Sequence, residues 1–96
     1  MSLILKGNIA TGFTSQPLQQ ESTVRMIIIN KTGGPVTVNI FIVSGGVNIS
    51  ICPLNMQLAA GTGYEDENIK LQVQESIGMT CNASCDYYFD LESTTN

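Results

Sequence analysis

Histidine is absent from this chain of 96 residues. Without it, no Ser-His-Asp or Cys-His arrangement can be assembled. Charge is scarce as well. Charged residues make up 12% of the chain, about half the usual share of a soluble domain. Four residues are basic, Lys6, Arg25, Lys31 and Lys70, and they are scattered. A groove that tracks phosphates needs clustered Lys and Arg, so nucleic acid is not an expected partner. No apolar run reaches the length of a membrane-crossing helix, so no membrane partner is expected. The opening "MSLILKG" lacks the basic n-region and the apolar length of a signal peptide. Together these features predict a chain made in a cytoplasm that keeps its first residues.

An even, dense set of cysteines is missing too. The three present are Cys52, Cys81 and Cys85, whereas a secreted disulfide scaffold shows paired sets. Free, partly buried thiols are the plain reading. Cys81 and Cys85 flank a short "NAS" and form a candidate disulfide under oxidation. A closed zinc site would need carboxylates or a second chain, since there is no fourth cysteine. The acidic run Glu65-Asp66-Glu67 has no EF-hand spacing and reads as a solvated loop. Asp86 and Asp90 share a strand face, but nothing around them builds the cleft of a glycosidase pair. "ATGFTSQ" and "GTG" lack the glycine spacing and Lys-Ser/Thr ending of a phosphate loop. Three glycosylation sequons, at Asn30, Asn48 and Asn82, read as chance in a chain rich in Asn, Ser and Thr. No residue is assigned to catalysis, to a cofactor or to a metal.

What the chain does have is period-two alternation, the mark of half-buried strands. "STVRMIIIN" puts Val24, Met26 and Ile28 on one face. "PVTVNIFIV" puts Val36, Val38, Ile40 and Ile42 on one face, with Thr37, Asn39 and Phe41 on the other. "VNISIC" points Val47, Ile49 and Ile51 inward. "NIKLQVQ" does so with Ile69, Leu71 and Val73, "SIGMTC" with Ile77, Met79 and Cys81, and "CDYYFDLE" with Tyr87, Phe89 and Leu91. β-Branched and aromatic residues dominate these runs. "NKTGGP" and "SGG" supply turns, "AAGTGYEDEN" reads as a flexible loop, and "NAS" as a hairpin turn. "PLNMQLA" is too short and too weakly amphipathic for a helix, and "ESTTN" reads as a frayed tail.

About seven or eight short strands with Gly-rich turns predict an all-β fold, a small antiparallel β-sandwich of Ig-like or jelly-roll-like type. The expected organisation is an extended arm or edge strand over residues 1–20 and a sandwich domain over 21–96. Phe41 and Val43 make one strand apolar on both faces, which calls for a further layer or a neighbouring subunit. They are candidate interaction residues, as is Tyr88, which faces outward between the core residues Tyr87 and Phe89.

The order of signals from residue 22 to residue 92 resembles the small virion structural proteins of tailed bacteriophages, especially marine and cyanobacterial phages. Leu58, Ala60, Gly61 and Tyr64 fill an "L-x-A-G-x-x-Y" turn. Ile69 and Leu71 fill the following strand, Glu75, Ser76 and Ile77 a corner, and "YYFDLE" the aromatic last strand. "CNASC" departs from the pattern, and residues 1–20 find no counterpart in it. The resemblance implies a non-enzymatic protein of the virion, assembled in the host cytoplasm, without cofactor. Its expected partners are the major capsid protein or other virion proteins and further copies of itself. Capsid decoration or cementing is the leading expectation, with a neck or tail component beside it. Two rival readings remain: a host-surface carbohydrate-binding module using Tyr88, Asn and Asp side chains, and a domain stabilised by a metal at the "EDE" run and the cysteines.

Overall fold

A computed structural model describes residues 2–93. Nine strands make up the regular structure: β1 (Ser2–Ile9), β2 (Gly12–Thr14), β3 (Ser22–Asn30), β4 (Val36–Ser44), β5 (Val47–Ser50), β6 (Met56–Leu58), β7 (Gly63–Leu71), β8 (Ser76–Cys81) and β9 (Cys85–Ser93). The first sheet has the order β1-β9-β3-β7. The second has β2-β8-β4-β5, with β6 also on β4, and every pairing is antiparallel. β5 and β6 act as one interrupted strand beside β4. Counted so, the chain passes from sheet to sheet in the order of a jelly roll, two interleaved Greek keys, and not in that of an Ig domain.

The alternation of apolar residues builds the core. Val24, Met26 and Ile28 from β3 meet Val36, Val38 and Ile40 from β4, all almost fully buried, and Ile77, Met79, Phe89 and Leu91 complete the layer. Phe13 of β2 stacks on Tyr87 at 4.5 Å and meets the edge of Phe89 at 5.3 Å, closing one side. Residues 2–14 are thus edge strands, one in each sheet. The segment that follows stays bound to β8: the Ser15 amide donates to the Ile77 carbonyl and the Leu18 amide to that of Glu75. Pro17 falls between these two donors, where its missing N–H costs nothing, and Leu18 plugs the core.

Five expectations are corrected. "GYEDEN" belongs to strand β7 and is not a loop; it lies on a sheet edge, where charge is tolerated and useful. "NAS" does not close a hairpin. Cys81 pairs with Val38 in the second sheet and Cys85 with Asn30 in the first, so residues 82–84 form a corner between sheets. The runs about "SGG" do pair as a hairpin, with Gly45 and Gly46 at φ 58° and 81° in its turn. Its second strand, however, does not line the core: Val47 and Ile49 are exposed, as is Val73 beyond the end of β7. Of the "ESTTN" tail, Glu92 and Ser93 are paired within β9; its other three residues lie outside the described residues.

Candidate interaction surface

Charge is divided between the two sheets. Lys6 stands on β1, Arg25 on β3, Glu65, Asp66, Glu67 and Lys70 on β7, and Asp86, Asp90 and Glu92 on β9. Glu21, Lys31 and Glu75 lie in connections. The strands of the second sheet carry no charged residue at all. The jelly-roll order produces this segregation, since it gathers strands that are distant in sequence into each sheet.

The outer face of the uncharged sheet is built from amides, hydroxyls and two apolar side chains. Thr37, Asn39, Phe41 and Val43 point outward from β4, in antiphase to the buried Val36, Val38 and Ile40. Phe41 pairs across with Gly78, and its ring lies over that glycine: a Cβ there would stand 2.7 Å from the ring and 2.8 Å from the Phe13 carbonyl oxygen. The chain itself therefore half-covers Phe41. Around it the amides bond to one another. The Asn55 amide N–H donates to Asn39 Oδ1 at 2.8 Å, Asn39 Nδ2 donates to Asn55 Oδ1 at 3.1 Å, and the Thr37 N–H donates to Asn82 Oδ1 at 2.9 Å. With these groups paired internally, the face can be covered at a small desolvation cost. Beyond it the β4–β5 hairpin leaves Val47 61% and Ile49 49% exposed.

Tyr88 lies on the opposite outer face, that of the charged sheet, so the structure does not bring it together with Phe41 and Val43. It borders a shallow cleft of about 240 Å³ shared with Arg25, Ile27, Glu65 and Glu67. Asp86 and Asp90 hold separate cations: Lys31 Nζ is 3.4 Å from Asp86, and Arg25 is 3.9 Å from Asp90. The Asn8 amide donates to Asp86 at 2.9 Å and, with Lys31, holds that carboxyl below the usual range. Among the described residues, no group of three or more acidic or cysteine side chains is gathered for a metal ion.

Cys81 and Cys85 are free thiols, and Cys81 Sγ donates to the Ile9 carbonyl at 3.5 Å. Burial pushes the Cys85 thiol up to about 11, helped by the neighbouring Cys81 and Asp86. Burial raises Cys81 as well. Both therefore stay protonated and weakly nucleophilic at neutral pH.

In the sequence Asn30 stands out only as a chance sequon. It is fully buried at the end of β3, and its Nδ2 donates to the carbonyls of Gly34, Leu58 and Ala59 at 2.8, 2.9 and 3.2 Å. Its Oδ1 accepts from the Thr32 amide and hydroxyl. The Asn30 sequon is thus a structural clamp joining the β3–β4 connection to the end of β6 and the β6–β7 connection. The one sequence signal for it is an Asn immediately before "KTGG", where an Asx turn is favoured.

No protein-family model matches the chain, and no curated protein sequence matches it. Solved structures do. The C-terminal domain of A223, a structural protein from sulfolobus turreted icosahedral virus, aligns with a TM-score of 0.56 at 20% identity, over 96% of this chain and 99% of that one. PirA aligns at 0.54 and 12% identity, over 93% and 92%. The VP2 subviral particle of infectious bursal disease virus aligns at 0.55 and 6% identity; it covers all of this chain, which spans 33% of that one. At these identities the likeness establishes the fold, a small β-sandwich.

Proposed function

We propose that this chain is a non-enzymatic structural protein of a virus particle that holds neighbouring proteins together by surface contact. The carrying observation is the uncharged outer face with Phe41 and Val43 at its centre, on a molecule whose charge is confined to the other sheet and the connections. A domain that lives alone keeps charge over its whole surface for solubility. One that packs beside other proteins gains from a face without charges to desolvate. The jelly roll is a recurrent capsid architecture, and the likeness to the A223 domain over nearly all of both chains supports the same reading. Within it, the turn-and-strand resemblance of residues 22–92 to tailed-phage virion proteins favours capsid decoration, with the major capsid protein as partner; a place in the neck or tail is the nearest alternative.

Quantitative mass spectrometry of purified particles tests the proposal. The expected result is many copies per particle, with a low count favouring the neck or tail. Absence from particles removes the reading. Val43→Lys, which places a charge on the uncharged face, is expected to leave the chain folded and to deplete it from particles.

The cleft at Tyr88 favours a second reading, a carbohydrate-binding module, because an exposed aromatic beside carboxylates and an arginine suits a sugar. Glycan-array binding that is lost in Tyr88→Ala would support it, and a flat response would end it.

A further inference from the structure

Sheet edges offer unpaired backbone groups to an incoming strand, and folded chains usually blunt them with charge, short length or a bulge. β2 and β6 have three residues and β5 has four. β7 carries three consecutive acids and a register break opposite Val24 and Met26, with Asn68 at φ 64°. β1 has little of this protection. It runs eight residues in unbroken register with β9 and carries one charge, Lys6. It also exposes Leu3 at 48% and Ile4 at 40%.

We propose that β1 is a self-docking edge. Two copies of this chain pair β1 with β1, antiparallel, about a two-fold axis at Leu5, and their four-stranded sheets merge into one continuous sheet. The residues of the strand set this register. Leu3 falls opposite the second copy's Gly7, Leu5 opposite its own equivalent, and Ile4 opposite the second copy's Lys6. Leu5 packs against the core, so Leu3 lies on the core side of the strand and meets a residue with no side chain to obstruct it. On the outer side Lys6 lays its aliphatic stem along the second copy's Ile4. Its ammonium then stands in the row of that copy's Asp90, the β9 partner of Ile4. Asp90 Oδ1 is buried and lacks a hydrogen-bond partner, and Oδ2 is 3.9 Å from Arg25.

Charge selects the second copy as occupant. Each chain has a net charge of −4, so two copies repel over most approaches. This seam places no like charges opposite each other and brings each lysine toward an aspartate. A two-fold axis at the central residue of β7, Glu67, would set that carboxylate opposite its own equivalent, with Glu65 and Asp66 of both copies close by, which is destabilising. The inference deepens the assembly reading by naming one partner. It concerns the chain in dilute buffer, so absence from particles would remove the proposed function and leave the dimer standing.

Sedimentation of the purified chain over a concentration series tests it, with a dimer expected. Ile4→Lys alters an exposed outward side chain and sets lysine opposite Lys6 at both symmetric positions. The dissociation constant is then expected to rise about tenfold or more, and adding Lys6→Glu in the same chain is expected to restore the dimer. Hydrogen exchange on the unaltered chain gives a readout free of variants: β1 amides gain protection as concentration rises. A chain that stays monomeric throughout, a dimer indifferent to Ile4→Lys, no rescue by the double change, or β1 exchange independent of concentration would each overturn the seam.

Discussion

Three buried residues carry stability that composition does not reveal. Asn30 supplies three donated and two accepted hydrogen bonds inside the protein. Asn30→Ala leaves carbonyls without partners, and a loss of about 2–4 kcal/mol is expected in urea denaturation. Asn30→Asp should cost more, because a carboxylate would then face three carbonyls. Gly78→Ala places a methyl against the Phe41 ring and the Phe13 carbonyl; overpacking of this kind is expected to cost about 1–3 kcal/mol. Cys85 gives a pH signature. Its folded pKa is raised, so the proton is held more tightly in the fold than in the unfolded chain. Its stability contribution is whole below the ordinary thiol value and is lost as pH climbs toward about 11. Melting temperatures across that window should fall in the native chain and fall less in Cys85→Ala. Residue pattern alone identified the inward faces of β3 and β9, because burial there follows the alternation; in β8 it found Ile77 and Met79, although Ser76 and Gly78 between and beside them are buried as well. The clamping role of Asn30 was illegible because Leu58 and Ala59, two of its partners, come from a segment distant in sequence.

At the scale of elements, strands with an apolar stripe were readable and those without one were not. β7 begins with a Tyr-Glu-Asp-Glu-Asn run whose polarity mimics a loop. It is a strand because β3 offers it a partner and because an edge gains protection from charge. The corner at residues 82–84 looks like a hairpin turn locally, and only the tertiary pairing of Cys81 and Cys85 sends it between sheets. The β4–β5 hairpin shows the reverse error. Its alternation is clean, yet Val47 and Ile49 remain exposed, since periodicity reports a face and not what covers it. Replacing both by threonine should therefore shift folding stability by no more than about 0.5 kcal/mol, whereas Ile40→Ala in the core should cost about 2–5 kcal/mol. Equilibrium unfolding of the two variants separates these cases.

For the whole molecule, the candidate surface was only partly legible. Phe41 and Val43 were visible as apolar residues on the wrong face of a strand. The segregation of charge was not, because it appears only once β2, β4, β5, β6 and β8 are gathered into one sheet. The same topology governs kinetics. β1 pairs with β9, so Ser2 and Glu92 must find each other across nearly the full chain. Refolding is expected in the range of milliseconds to seconds, and stopped-flow fluorescence of the tyrosines checks it.

That pairing of Ser2 with Glu92 has a practical consequence for anyone redesigning the protein. A linker of a few residues would join the two strands there, and the chain could be reopened at Gly45–Gly46. The result would be a circular permutant with new ends at the tip of the protruding hairpin, a ready attachment point for a cargo or a reporter.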